Sequence, residues 1–388
     1  MAELYSLPDG WEWKKLENIS KKIFAGGDKP DKVSEFKTDE LNIPIYANAV
    51  KNNGLYGYSN IYKVDEECIT ISARGTIGFT VVRNEKFFPI VRLIVLIPNE
   101  QVLSKILKYY LDYELVENTG SSIPQLTVPT VKELFFPLPP LEEQKRIVAK
   151  LDNLFAKIDK AIALHQKNID EADIFMASVL NDVFVELEEK YEKYRLEDLT
   201  SLITKGTTPT TNGYKFQDSG INFLKIENIV NGEIDLSTIE MFISEEAHQS
   251  QKRSQLEIND VLFSIAGTIG DTAIVKKEHL PMNTNQAIAL IRPIEKLNSE
   301  FLRRLLSSSI SNETTNKQRG GAIKNVSLGD IKELELPLPP LETQQKIVAY
   351  LDEISQKMEK IKQIQKEKMQ SLKELKASIL DKAFKGEL

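Results

Sequence analysis

The segment PLPPLEEQKRIVAKLD, from Pro137 to Asp152, is written a second time as PLPPLETQQKIVAYLD, from Pro337 to Asp352. Counting from Val131 and Ile331, 15 of 22 positions are identical, and the offset of 200 holds without a gap to ASVLNDVF (177–184) against ASILDKAF (377–384). Loops absorb insertions at small entropic cost. A duplicated stretch that has gained and lost nothing is therefore one whose length matters.

PLPP itself cannot be helical, because proline lacks the amide donor and biases the residue before it away from the helical region. Beyond it there is no proline or glycine from Leu141 to Arg195, nor from Leu341 to Lys385. Apolar residues recur in steps of three and four at Ile147, Leu151, Leu154, Ile158 and Ile162. After His165 the series resumes at Ile169, Ala172, Met176, Val179 and Val183. The second copy gives Ile347, Leu351, Ile354, Met358, Ile361, Leu372, Leu375 and Ile379, with Gln365 and Lys368 polar in the same register. Such spacing predicts two helices with a heptad-like seam, each 35–40 residues or about 50–60 Å long at 1.5 Å per residue. A helix of that length with one apolar stripe needs a partner. The first segment is net −4 and the second net +2, so each suits the other, and an antiparallel pair is expected. His165 and Gln365 are equivalent positions: either they hydrogen-bond across the seam and fix the register, or each is solvated independently.

The remaining sequence repeats more loosely. WKKLENISKKIFAGGDKP (13–30) answers YRLEDLTSLITKGTTPT (194–210), IPIYANAVKNNG (43–54) answers INFLKIENIVNG (221–232), and ITISARGTIGFTVV (69–82) answers VLFSIAGTIGDTAIV (261–275). SKILKYYLDYELVEN (104–118) and SEFLRRLLSSSISNE (299–313) each read as one amphipathic helix. Short strands, a late helix and a closing strand before PLPP define an α+β domain, present twice. The expected organisation is a first globular domain at 1–140, a spacer helix at 141–190, a second domain at 191–340 and a second spacer helix at 341–388.

Composition excludes more than it selects. No apolar run reaches the roughly 18 residues of a membrane span, and the N-terminal residues have neither the basic nor the apolar region of a signal peptide. A cytoplasmic protein is expected. The single cysteine, Cys68, sits in a strand-like apolar run and reads as core. Three histidines without HExxH, CxxC or GxxxxGK[ST] argue against zinc, histidine-based catalysis or a nucleotide cradle. The net charge of −7 names no partner. Candidate contacts lie in loops rich in Gly, Asn, Thr and Lys: Lys51, Asn52, Asn53, Arg74 and Thr76 in the first domain, and Lys205, Thr207, Thr208, Asn228, Asn231 and Thr268 in the second. These side-chain types read base edges or hold phosphates, and they are equally common in loops that bind nothing.

With LPDGWEWKKLENI near the N-terminus, KGTTP (205–209), the pair SARGTIG/SIAGTIG, the doubled PLPPLExQxxIVAxLD and the ending ASILDKAFKGEL, the chain resembles the specificity subunits of type I restriction–modification systems. The first domain departs from the second in carrying AGGDKP (25–30) where the second has KGTTP. The resemblance implies a non-catalytic subunit of an adenine methyltransferase/endonuclease complex. Two target-recognition domains, separated by an antiparallel coiled coil, would each read half of a split, asymmetric duplex DNA site. The helices would set the gap and dock two methyltransferase subunits, and restriction/translocase subunits would join them. It implies no cofactor on this chain, with S-adenosylmethionine, ATP and Mg on the partners, and no membrane association. A duplicated coiled-coil scaffold presenting two protein-binding domains is the alternative from another class.

Overall fold

The structure, a computed structural model, describes residues 5–117, 126–307 and 326–388. The ends of the two expected amphipathic helices, residue 118 and residues 308–313, lie outside the described residues. The chain divides into two compact units, Met1–Lys167 with Gln365–Leu388, and Asn168–Ile364. Each unit joins one globular domain to parts of both long helices.

In the first unit, β1 (Glu12–Lys15) pairs antiparallel with β9 (Phe135–Leu138), the strand that closes the domain. A four-stranded antiparallel sheet runs in the order β2 (Ser20–Ala25), β8 (Ile94–Pro98), β5 (Cys68–Ile71), β6 (Thr80–Arg83). A three-stranded sheet places β3 (Ile43–Tyr46) between antiparallel β4 (Leu55–Ser59) and parallel β7 (Phe88–Pro89). Every residue of β5 is buried, as its unbroken β-branched and apolar character demands for a central strand. On one side Ile69, Ile71 and Leu96 pack with Ile106, Leu107 and Leu111 of α1 (Ser104–Glu117). Cys68 belongs to a smaller cluster with Phe87 and Val95, and burial pushes its thiol up to about 12. It is a core residue.

The short α2 (Val128–Glu133) is capped by Thr127, and Pro129 sits in its first turn, where a missing amide costs nothing. PLPP then leads into α3 (Leu141–Lys190). The glutamine shared by both copies of the repeat now has a reason. Gln144 is fully buried; its Nε2 donates to Gln101 O and Pro139 O at 2.8 Å each, and its Oε1 accepts from Leu103 N at 2.9 Å. The amide thus pins the first turn of the helix to the loop that opens α1.

The second unit repeats this plan. β10 (Lys193–Arg195) pairs with β20 (Glu335–Pro337), and the antiparallel sheet runs β11 (Thr200–Lys205), β19 (Ile288–Pro293), β16 (Val261–Ser264), β17 (Thr272–Ile274). β12 (Ile221–Leu224) lies between antiparallel β15 (Phe242–Ile243) and parallel β18 (Met282–Thr284). The unit adds a small hairpin, β13 (Ile229–Val230) and β14 (Glu233–Ile234), and a helical turn α4 (Glu245–Ser250) capped by Ser244. A helix α5 at 299–307 and the Ser327-capped α6 (Leu328–Lys332) precede PLPP and α7 (Leu341–Phe384). Gln344 repeats the clamp, with Nε2 donating to Lys296 O and Pro339 O and Oε1 accepting from Asn298 N.

The long helices pack antiparallel within each unit. Asp159 meets Lys376 at 2.7 Å in the first unit, and Asp173 is paired with Lys362 in the second. His165 Nδ1 donates to Gln365 Oε1 at 2.5 Å. With no proline or glycine up to Arg195 in the first copy and Lys385 in the second, both helices outrun the length expected from their apolar periodicity, at 50 and 44 residues. The seam of α3 follows the expected positions: Ile147, Leu151 and Ile158 are buried, and Leu154, Ile162, His165 and Ile169 are half-buried. In α7, Leu351 is buried and Ile347, Ile354, Met358, Gln365, Leu372 and Ile379 are half-buried. Three positions expected in the register are not there: Ile361 and Leu375 are 39% and 48% exposed, and Lys368 is exposed as well. Their places fall to Lys362, Lys376 and Met369, one position on in each case, which keep a strict three-four alternation from Met358 to Ile379. Lysine stems cover apolar surface while the ammonium leaves it; Lys376 Nζ sits 4.7 Å above the Phe155 ring. No helix among the described residues is long and apolar enough to cross a membrane.

Candidate nucleic-acid interface

In the first unit the ends of several strands meet at one group of loops. β2 ends at Ala25, and the backbone of Gly26 after it lies so close to the turn after β7 that a Cβ would stand 2.6 Å from Pro89 O. Only glycine fits there. Gly26 N donates to Leu93 O, Arg92 N to Gly26 O and Val91 N to Gly27 O, all at 2.8–2.9 Å. The turn so held is strained, because Val91 and Arg92 both have positive φ, 51° and 62°. A β-branched residue adopts that conformation only when its surroundings impose it.

Asn48 joins this turn to the SARGTIG loop. Its Nδ2 donates to Val91 O at 2.7 Å and its Oδ1 accepts from Ala73 N at 2.8 Å. Arg74 and Thr76 stand exposed just beyond. Lys51, Asn52 and Asn53, also exposed, form a neighbouring turn between β3 and β4 in which Asn52, Asn53 and Gly54 are all left-handed. That turn is held from beneath by Arg83, 6% exposed. The guanidinium stacks 3.3 Å from the Tyr46 ring, donates through Nε to Thr70 Oγ1 at 3.0 Å and through Nη2 to Asn53 O at 2.5 Å. Burial draws the Arg83 pKa below its ordinary value. Burial also lifts Tyr46 to about 12, helped by its hydrogen bond to Glu85.

The second unit builds the same junction with different parts. Gly206 of KGTTP lies against Thr284 and Asn285, again with no room for a Cβ, and its N donates to Ile288 O at 3.2 Å. Thr207 N donates to Thr284 O at 3.0 Å, and Thr208 Oγ1 donates to Gln286 Oε1. Here Ile265 N bonds Ala287 O directly at 2.8 Å, where the first unit interposes the Asn48 amide. Ser264 Oγ accepts from Asp271 N and donates to Thr268 O, shaping the GTIG loop. Lys205 and Thr268 are exposed and Thr207 and Thr208 half-buried. Asn231 and Gly232, at φ 53° and 82°, form the two-residue turn of the β13–β14 hairpin, as an Asn-Gly pair favours.

Asn228 is the exception among the expected contacts. It is 4% exposed, with Oδ1 accepting from Lys225 N at 2.8 Å and Nδ2 donating to Thr238 O at 2.8 Å. Its amide is consumed inside the domain, so it shapes the loop and is not displayed by it. Conversely, Asn48, Arg83, Arg92 and Gln286 were not indicated by loop composition. The last two lie in turns seated against Gly26 and Gly206, contacts between segments distant in sequence that no local pattern marks. Among the described residues no group of three or more His, Cys, Asp or Glu could hold a metal.

The profile of the type I restriction modification DNA specificity domain matches residues 8–171 and 188–368. The chain belongs to that family. It is 30% identical over 297 residues to the type I restriction enzyme EcoBI specificity subunit of Escherichia coli, a match covering 70% of this chain and 62% of the relative. It is 34% identical over 172 residues to a putative type I specificity subunit of Mycoplasma pneumoniae, covering 42% of this chain and 51% of the relative. The matched part thus spans between half and two thirds of the length of these two relatives. A solved chain from a study of the assembly and conformational transition of the type I R-M system superposes with a TM-score of 0.75 at 22% identity, over 99% of this chain and 100% of that one. At that identity the likeness shows the fold.

Proposed function

We propose that the chain is the DNA sequence-specificity subunit of a type I restriction–modification complex, each domain reading one half of a bipartite, asymmetric duplex site. The observation that carries this reading is the duplicated junction. A glycine-seated turn, a GTIG loop and an Asn-Gly turn recur in both units with different exposed side chains. One scaffold displaying two sets of Lys, Arg, Asn, Gln and Thr suits two different half-sites, since base edges are distinguished by those side chains. Lys51, Asn52, Asn53, Arg74, Thr76, Lys205, Thr207, Thr208, Asn231 and Thr268 are the proposed contacts. The long helices, which present a second duplicated surface, suit two copies of a methyltransferase subunit and a fixed gap between the half-sites. Restriction/translocase subunits would complete the complex in the cytoplasm. S-adenosylmethionine, ATP and Mg belong on those partners, where an adenine would be flipped and methylated.

The test is an adenine-methylation map of cells with and without the gene. Loss of methylation at one split motif of constant internal gap is expected. An unchanged map, together with no methylation by the purified chain plus its methyltransferase partner, would overturn the proposal.

A further inference from the structure

The turn that follows β7 in one unit is the turn that follows β18 in the other. Ala25 pairs with Ile94 and Lys205 with Ala289 in the β2–β8 and β11–β19 ladders. The N–H of the seated glycine bonds Leu93 O in the first unit and Ile288 O in the second. Both anchors align the chains in one register: Thr284 with Pro89, Asn285 with Ile90, Gln286 with Val91 and Ala287 with Arg92. The backbone scaffold is shared, and the side chains it lifts into solvent are not. Val91 is 56% exposed and Arg92 is exposed in the first unit; Gln286 is exposed in the second.

From this we infer that the turn is a specificity-determining tip in both domains, with Arg92 reading a guanine in the first half-site and Gln286 an adenine in the second. The inference rests on the proposed function and names the residues by which the two readers differ. Arg92 makes no side-chain hydrogen bond or ion pair among the described residues. The first-unit turn that carries it is nonetheless tied down, through Gly26, Gly27 and Asn48. An unpartnered guanidinium on a tip whose backbone is held by these bonds is available to fork onto the two acceptors, O6 and N7, that guanine shows in the major groove. Gln286 is prepared differently. The Thr208 hydroxyl holds its carbonyl oxygen, which has a second lone pair for the adenine N6 amine while Nε2 faces N7. Asn48 is a positioning residue here, since it touches the Val91 carbonyl and not the duplex.

The experiment is selection of duplexes from a randomised library by the full chain in complex with its methyltransferase subunit, followed by sequencing. Wild type is expected to select a split motif. Arg92→Ala should make one G·C position of the first half-site degenerate, lowering its preference by about 10- to 100-fold, the discrimination of one good bidentate contact, with the second half-site unchanged. Arg92→Gln should turn that position towards A·T, and Gln286→Arg should turn one A·T position of the second half-site towards G·C. Since Gln286 lies in the other unit, a folding failure of the Arg92 variants, seen by circular dichroism, leaves that arm decisive. An unchanged motif in all variants overturns the inference while leaving the proposed function standing. Uniform weakening without a change of motif identifies phosphate contacts and also overturns it. If wild type selects no sequence, the proposed function fails and takes this inference with it.

Discussion

Arg83 shows how one buried cation can govern a surface loop. It is set in β6, where strand alternation with Val82 gives no hint of a special role, and what buries it is Tyr46, a neighbour distant in sequence. A guanidinium can stack and donate in its own plane at once; an ammonium cannot. Arg83→Met removes the donor from Asn53 O and is expected to cost about 1–3 kcal/mol, the penalty of an unsatisfied buried group, seen as a lower urea midpoint. Arg83→Lys should recover little of that loss. A lysine variant as stable as wild type would show that charge alone, and not the stacked fork, supports the turn. Asn228 teaches the converse, because composition marks it as a contact and the fold spends its amide on Lys225 and Thr238. Residue type and loop position are visible in a sequence. Which loop amide faces inward depends on neighbours that only the folded chain brings up.

At the scale of elements, the duplicated helices were legible almost entirely, because length, breakers and periodicity are all local properties. Equivalence of position leaves the His165–Gln365 pair either bonded or separately solvated, and the fold bonds it. Hydrophobicity alone misassigns the seam of α7. Ile361 and Leu375 are apolar and point away, whereas Lys362 and Lys376 occupy the stripe, their side chains 16% and 28% exposed, through their methylenes and their ion pairs with Asp173 and Asp159. Leu375→Ala should therefore change stability by less than about 0.5 kcal/mol, as surface substitutions usually do. Leu351→Ala, at a fully buried position, should cost about 2–5 kcal/mol. Paired denaturant titrations of the two variants check the register directly, and equal losses would return Leu375 to the seam. The globular domains were readable as α+β, but the parallel pairing of β3 with β7 and β12 with β18 joins strands far apart in sequence. No local pattern encodes such a pairing.

At the scale of the molecule, the linear order of domain, helix, domain, helix conceals which residues stabilise which domain. Phe384, close to the C-terminus, is fully buried in the first unit, its ring 5.1 Å from Tyr110 and 6.4 Å from Phe136, and its carbonyl accepts from the Tyr5 hydroxyl at 2.8 Å. Its counterpart Phe184, in the middle of the chain, is 5% exposed in the core of the second unit, 6.2 Å from Phe301. The last turns of each long helix thus complete the hydrophobic core of one domain, which explains why the ungapped register extends to ASVLNDVF and ASILDKAF and does not stop at the seam. Phe384→Ala should lower the stability of the first unit by about 3–5 kcal/mol, the usual cost of emptying a buried aromatic site. Native-state hydrogen exchange would read this as lost protection in β5 and β8, with β16 and β19 unaffected. Phe184→Ala should give the mirror result. If either substitution instead exposed all four strands alike, the units would open as one cooperative block, and the duplicated helix ends would be serving the whole chain and not the domain each one enters.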